Sequence, residues 1–151
     1  MFNAFELLDF PMSFDVNAQE LEEHYEHSQN QIHPDKWAAF PVLIRQSSQG
    51  LSARLTQAYQ TLKDPVRRGE HLLILKGYWP LPSFPDLMEQ ILMTQERIGS
   101  HSQKDKLIFE SEYTQAYTAL EKAFEKDVCE EIQRAYWWFL HISKSHRRGA
   151  L

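Results

Sequence analysis

A single cysteine, Cys129, in 151 residues excludes an internal disulfide framework and any zinc site built from several thiolates. Glycine and proline are scarce, 5 and 7 residues, which excludes collagen-like and linker-like sequence. No apolar run approaches the length of a membrane span. The start, Met1-Phe2-Asn3-Ala4-Phe5-Glu6, lacks the basic residues and apolar core of a secretion signal. Basic charge is not in surplus either. The formal net charge is −5, which argues against a nucleic-acid-binding module. Neither nucleic acid nor membrane is expected as a partner, and the expected compartment is a reducing cytoplasm. Alternating β-branched residues bounded by turns, the mark of strands, are also missing.

What is present is helical patterning. Hydrophobic residues make up 42% and charged residues 25%, enough apolar surface for a folded chain. In the first half a short helix is expected over about residues 4–8, ending before Pro11. Asn17 can cap a second, with Glu20 three residues on as the partner in a capping box. Leu21, Tyr25, Ser28 and Ile32 then fall on one face. Pro34 halts this helix. Pro41 suits the first position of a long helix over 42–62, whose face is Leu51, Leu55, Ala58 or Tyr59, and Leu62. Gly50 within it costs roughly 1 kcal/mol relative to Ala. Asp64 and Pro65 divide it from a fourth helix bearing Leu72, Leu73 and Leu75, with Gly77 as C-cap. The two long amphipathic helices must form an antiparallel hairpin to hide their stripes, with residues 33–40 at its exposed tip.

Three prolines, Pro80, Pro82 and Pro85, then interrupt helical structure, and residues 77–85 are expected to be a semi-rigid linker. Beyond it, over 86–148, three more helices are expected. Asp86 can cap the first, which carries Leu87, Met88, Ile91, Leu92 and Ile98. The second carries Tyr113, Tyr117, Leu120 and Phe124. Asp127 and Glu130 have the spacing of a capping box for the third, whose stripe is Val128, Ile132, Ala135 or Tyr136, Phe139 and Ile142. The fold class expected is all-α, in two helical modules.

The tripeptide His33, Pro34, Asp35 holds an imidazole and a carboxylate at a defined spacing on a proline-stiffened turn. It lies between two amphipathic helices, and Ala58-Tyr59-Gln60-Thr61-Leu62-Lys63-Asp64-Pro65 closes the second. This pattern resembles the J domain, the co-chaperone module of DnaK-type ATPases. Three further segments narrow the resemblance to the HscB-type co-chaperones of iron–sulfur cluster assembly: Phe5-Glu6-Leu7-Leu8-Asp9-Phe10-Pro11, Arg68-Gly69-Glu70-His71-Leu72-Leu73 and Leu87-Met88-Glu89-Gln90.

The resemblance implies a J domain over 2–76, a scaffold-binding three-helix module over 86–148, and no enzymatic activity or cofactor of its own. The implied partners are an HscA/DnaK-type chaperone ATPase and an IscU-type iron–sulfur scaffold protein. Asp35 would accept a charge-assisted hydrogen bond from the chaperone. His33 and Pro34 would set its geometry, and Lys36 would add a cation. Family members usually carry basic residues on the helix before this turn. Here residues 17–32 hold Glu20, Glu22, Glu23 and Glu26 and no Lys or Arg, so docking is expected to lean on Lys36, Arg45 and Arg54. In the second module Leu87, Met88 and Ile91 match the family's apolar scaffold contacts, and Phe139 its aromatic one. Leu92 and Gln95 replace acidic rim positions.

Two other readings stand beside this one. A general J-domain protein would present a different client. A metal-dependent hydrolase could use His24 and His27 with Glu23 and Glu26, but H-E-x-x-H and a second ligand cluster are missing, so the histidines read as surface residues and no metal is expected. Cys129, among acidic neighbours that disfavour a thiolate, reads as a packing residue. His141, His146, Arg147 and Arg148 suit the negative end of the last helix dipole. In the run Tyr136, Trp137, Trp138, Phe139, residues step about 100° around the helix, so one of the two tryptophans is expected to pack on the linker or the first module.

Overall fold

The structure, a computed structural model, describes residues 1–99 and 102–149, with the backbone alone at 34 and 146–149. The side chains of Pro34, His146, Arg147 and Arg148 therefore lie outside the described residues. The described residues form helices and no strand, and no helix among them is long and apolar enough to cross a membrane. The chain divides into two compact units, Met1–Leu75 and Lys76–Leu151.

In the first unit α1 spans Ala4–Leu7, α2 Ala18–Gln31, α3 Pro34–Trp37, α4 Val42–Lys63 and α5 Pro65–Lys76. Asn17 caps α2, its side-chain oxygen accepting from the N–H groups of Gln19 and Glu20. Where the sequence reading has only a loop, Pro34 opens the single turn of α3. Its missing N–H and fixed φ suit the first helical position as well as they end α2. Helices α1, α2 and α3 all pack on α4. The core combines Ala4, Phe5 and Leu8 of the N-terminal segment with Phe14, Leu21, Leu55, Ala58, Leu62, Leu72 and Leu73.

Two buried polar side chains of α5 close this core. The His71 ring stacks on Phe5, and its Nε2 accepts the N–H of Ala4 at 3.0 Å, satisfying a donor that the start of α1 leaves unpaired. Arg68 lies over the Phe14 ring and donates from Nη1 to the Leu62 carbonyl at 2.6 Å.

The second unit is a three-helix bundle: α6 spans Pro85–Ile98, α7 Gln103–Lys126 and α8 Cys129–Gly149, each packing on the other two. Ile91, Ile98, Ala116, Leu120, Ile132, Tyr136, Phe139 and Ile142 fill it. The proline-rich stretch is part of this unit. Gln133 donates to the Tyr78 carbonyl at 2.9 Å, and Trp79 meets the edge of Tyr136. Of the four consecutive aromatics it is thus Tyr136 that meets this stretch. Trp137 is buried and stacked on His141.

Two expected caps are differently employed. Asp86 sits inside the first turn of α6, after an N-cap at Phe84, and pairs with Arg134, which holds its carboxyl below the usual carboxylate range. Asp127 ends α7 in the left-handed region, φ 55°, and does not begin α8. Its carboxylate meets Lys76 Nζ at 3.0 Å. The full capping box is made at Ser102 and Asp105. Gly99, φ 66°, is required beside it, because a Cβ there would come within 2.6 Å of the Asp105 carboxylate.

Candidate docking sites

The α2–α4 hairpin is held by a ladder of polar contacts. Tyr59 donates to Glu22 at 2.8 Å, Tyr25 and Thr56 hydroxyls meet at 3.1 Å, Ser52 donates to Gln29 Oε1 at 2.8 Å, and Ser48 donates to the Ile32 carbonyl at 2.7 Å. Partners descend along α4 as they ascend along α2, so the helices are antiparallel. Gln29 Nε2 donates to the Ser52 carbonyl, and Tyr25 and Tyr59 stack at 4.4 Å. Because each rung pairs a specific donor with a specific acceptor, sliding one helix would leave partly buried polar groups unpaired, at a cost of about 1–3 kcal/mol each. The ladder fixes where the tip lies. One of the four glutamates before the tip, Glu22, is a rung of it. Its bond to Tyr59 raises that phenol's pKa above the usual value.

At the tip, His33 is the N-cap of α3. Its Nδ1 accepts the Asp35 N–H at 3.2 Å. An imidazole nitrogen that accepts this bond has no proton to donate to the Asp35 carboxylate 3.5 Å away. Asp35 therefore keeps its full acceptor capacity, with its side chain 91% exposed. Lys36, Arg45 and Arg54 are exposed as well. The expected chaperone contacts thus lie on α3 and α4, and Asp35 is presented outward on a turn whose geometry His33 sets.

One feature of the tip escapes motif reading. Phe40, Val42, Leu43 and Ile44, between α3 and the first turn of α4, are all exposed. Trp37 packs against Phe40, ring centroids 5.0 Å apart, tying α3 to this apolar edge. The run of apolar residues was visible in sequence. That no other element covers it was not.

The two histidines of α2 do not form a metal centre. No group of three or more potential ligands occurs among the described residues. His24 is more than a surface residue, because its Nδ1 donates to the Leu8 carbonyl at 2.7 Å and its ring stacks on Phe10 at 4.4 Å. It anchors the end of α1.

In the second unit the expected scaffold contacts separate into two groups. Ile91 and Phe139 are 1% and 0% exposed and belong to the bundle core, with Phe139 against Tyr113 and Tyr117. They can shape a surface but cannot form one. Met88 and Leu92 are exposed, with Met93 beside them at 67%, and Leu87 is half-buried. Gln95 is half-buried and reaches the His141 carbonyl at 3.5 Å. Exposed apolar side chains grouped in this way on one helix mark a contact surface, and flexible methionines suit it. Cys129 is a half-buried free thiol.

No protein-family model matches the sequence. Curated relatives do. The co-chaperone protein HscB homolog of Shewanella amazonensis is 45% identical over 75 residues, 50% of this chain and 43% of the relative. That of Shewanella oneidensis is 44% identical over the same lengths. The likeness is to HscB. The chain spans somewhat under half the length of these curated relatives. Among solved structures, human HscB superposes with a TM-score of 0.84 at 23% identity, covering 98% of this chain and 80% of the human one. HscB from Vibrio cholerae gives 0.79 at 22% identity, covering 98% and 95%. The all-α fold is thus an HscB fold over nearly the whole chain, helical second unit included.

Proposed function

We propose that this chain is a co-chaperone of iron–sulfur protein maturation that acts in the cytoplasm. Its first unit engages an HscA/DnaK-type chaperone and stimulates ATP hydrolysis by it. Its second unit delivers an IscU-type scaffold protein. The observation that carries the reading is Asp35, outward at the tip of a register-locked hairpin, with His33 committed to the backbone and not to neutralising the acid. A carboxylate so held is a ready acceptor for an Arg of the partner, and charge-assisted bonds are the stronger class. Lys36, Arg45 and Arg54 supply the cations that α2 lacks. On the second unit Met88 and Leu92, flanked by Leu87 and Gln95, form the scaffold-facing surface, with Ile91 and Phe139 supporting it from beneath. The chain itself performs no covalent step and needs no cofactor.

Steady-state ATP turnover by a purified HscA-type chaperone tests the reading. Addition of this chain should raise turnover, and scaffold protein should raise it further. Asp35→Ala should remove the stimulation while the circular dichroism spectrum stays unchanged. Full stimulation by that variant would refute the role given to Asp35.

A further inference from the structure

The apolar stripe of α4 is longer than the elements that cover it. Leu55, Ala58 and Leu62 are buried. The same stripe continues toward the tip at Leu51 and Ile44, which are exposed, and Leu43 beside them is 76% exposed. Ser47, one turn after Leu43, donates its hydroxyl back to the Leu43 carbonyl at 3.0 Å, so its polar group is already satisfied within the helix. Gly50 follows on the same face, one turn before Arg54.

Gly50 has no explanation inside this chain. Its φ is not positive, so the backbone does not require glycine. A Cβ placed there would find nothing within 4 Å, so packing does not require it either. It nevertheless weakens a helix interior relative to Ala. The remaining physical use of a mid-helix glycine is close approach by another molecule's atoms. Leu43, Ile44 and Leu51 around a floor of Ser47 and Gly50 form a shallow apolar saddle about 16 Å long from Leu43 to Arg54.

Resting on the reading above, we propose that this saddle seats an apolar segment of the same chaperone ATPase that engages Asp35. The segment would approach the backbone at Gly50 and present an acidic group to Arg54. Continuity favours this occupant. α3, which carries Asp35, packs on α4, and the Phe40 N–H bonds the Trp37 carbonyl at 3.0 Å, so the acid and the saddle move as one piece. Contact at the saddle would also supply apolar affinity to a docking face whose preceding helix has no Lys or Arg.

The test uses the full chain and a purified HscA-type chaperone in its ATP-bound state. Gly50→Ala should raise Tm by about 4 °C, because it only removes a helix penalty. It should nonetheless weaken binding several-fold. Gly50→Gln, a good helix former with a longer side chain, and Leu43→Ser should each weaken binding about tenfold or more without lowering helical content. Chaperone affinity unchanged in both Gly50 variants, with Asp35→Ala still defective, would overturn the saddle and leave the role of Asp35 intact. No binding by the wild-type chain would overturn both. Equilibrium sedimentation closes the remaining possibility: a dimer that Leu43→Ser dissociates would assign the saddle to a second copy and reject the chaperone as its occupant.

Discussion

His71 Nε2 accepts the backbone N–H of Ala4 at 3.0 Å, and only a neutral imidazole can do so. Burial lowers the pKa of His71 below its ordinary value. A histidine whose folded pKa lies below its unfolded one contributes stability that is complete above about pH 6.5 and is lost as pH falls through the folded value. Urea melts of the wild type between pH 7.5 and 5 should therefore show stability falling with acidification, starting with the docking of α1. His71→Leu should lower stability at pH 7.5 by about 1–3 kcal/mol, leaving the Ala4 N–H unpaired, and should flatten the slope below pH 6.5. An unchanged slope in that variant would place the acid sensitivity elsewhere.

The role of His33 is geometric, and a change of residue can separate it from chemistry. As N-cap of α3 it does what Asn does with a side-chain oxygen. His33→Asn should keep much of the ATPase stimulation, whereas His33→Ala should lose most of it, with the thermal midpoint moving little because the turn is exposed. Equal loss in both variants would mean that the imidazole itself touches the chaperone.

In the second unit, burial divides residues that likeness groups together. Phe139→Ala should cost about 3–5 kcal/mol and Ile91→Ala about 2–5, because each empties a site in the bundle core. Scaffold binding would fall in those variants only along with folding. Met88→Ser combined with Leu92→Ser should leave the melting curve within about 0.5 kcal/mol of wild type and abolish capture of an IscU-type scaffold protein. Capture undiminished in the double variant would move the scaffold site off α6.

That division also shows how far the sequence could be read. The 4, 3, 4 spacings placed the long helices because burial of a stripe is a local, periodic requirement, and the stripe Ile132, Tyr136, Phe139, Ile142 already marked Phe139 as core. Likeness to a family drew Phe139 to the surface against that signal. Asp127 and Glu130 have the spacing of a capping box, yet the helix boundary falls at Asp127, whose left-handed φ serves the preceding helix. Spacing alone does not say which helix owns a residue at a junction. The four-residue α3 is too short for a stripe. The exposure of Leu43 and Leu51 depends on how far α1, α2 and α3 reach along α4, which is a tertiary fact. The polar ladder was half visible, since Tyr25, Ser28 and Ile32 were placed on the inner face. Its rungs required knowing which turn of α4 stands opposite which turn of α2.

The ladder yields the last prediction. Gln29 uses both ends of its amide, accepting from Ser52 Oγ at 2.8 Å and donating to the Ser52 carbonyl at 3.2 Å. Gln29→Ala should destabilise the first unit by about 1–3 kcal/mol, since it strands the Ser52 hydroxyl in a half-buried seam. Ser52→Ala should cost less, because the Ser52 carbonyl stays in place to accept. The two changes share one rung, so the double variant should fall short of additivity by about 0.5 kcal/mol or more in urea melts. If the rung sets register as well as stability, the Gln29→Ala hairpin should also stimulate the chaperone less than its remaining folded fraction accounts for. Stimulation in strict proportion to folded fraction would confine the ladder to stability and leave the placement of Asp35 to the apolar stripe.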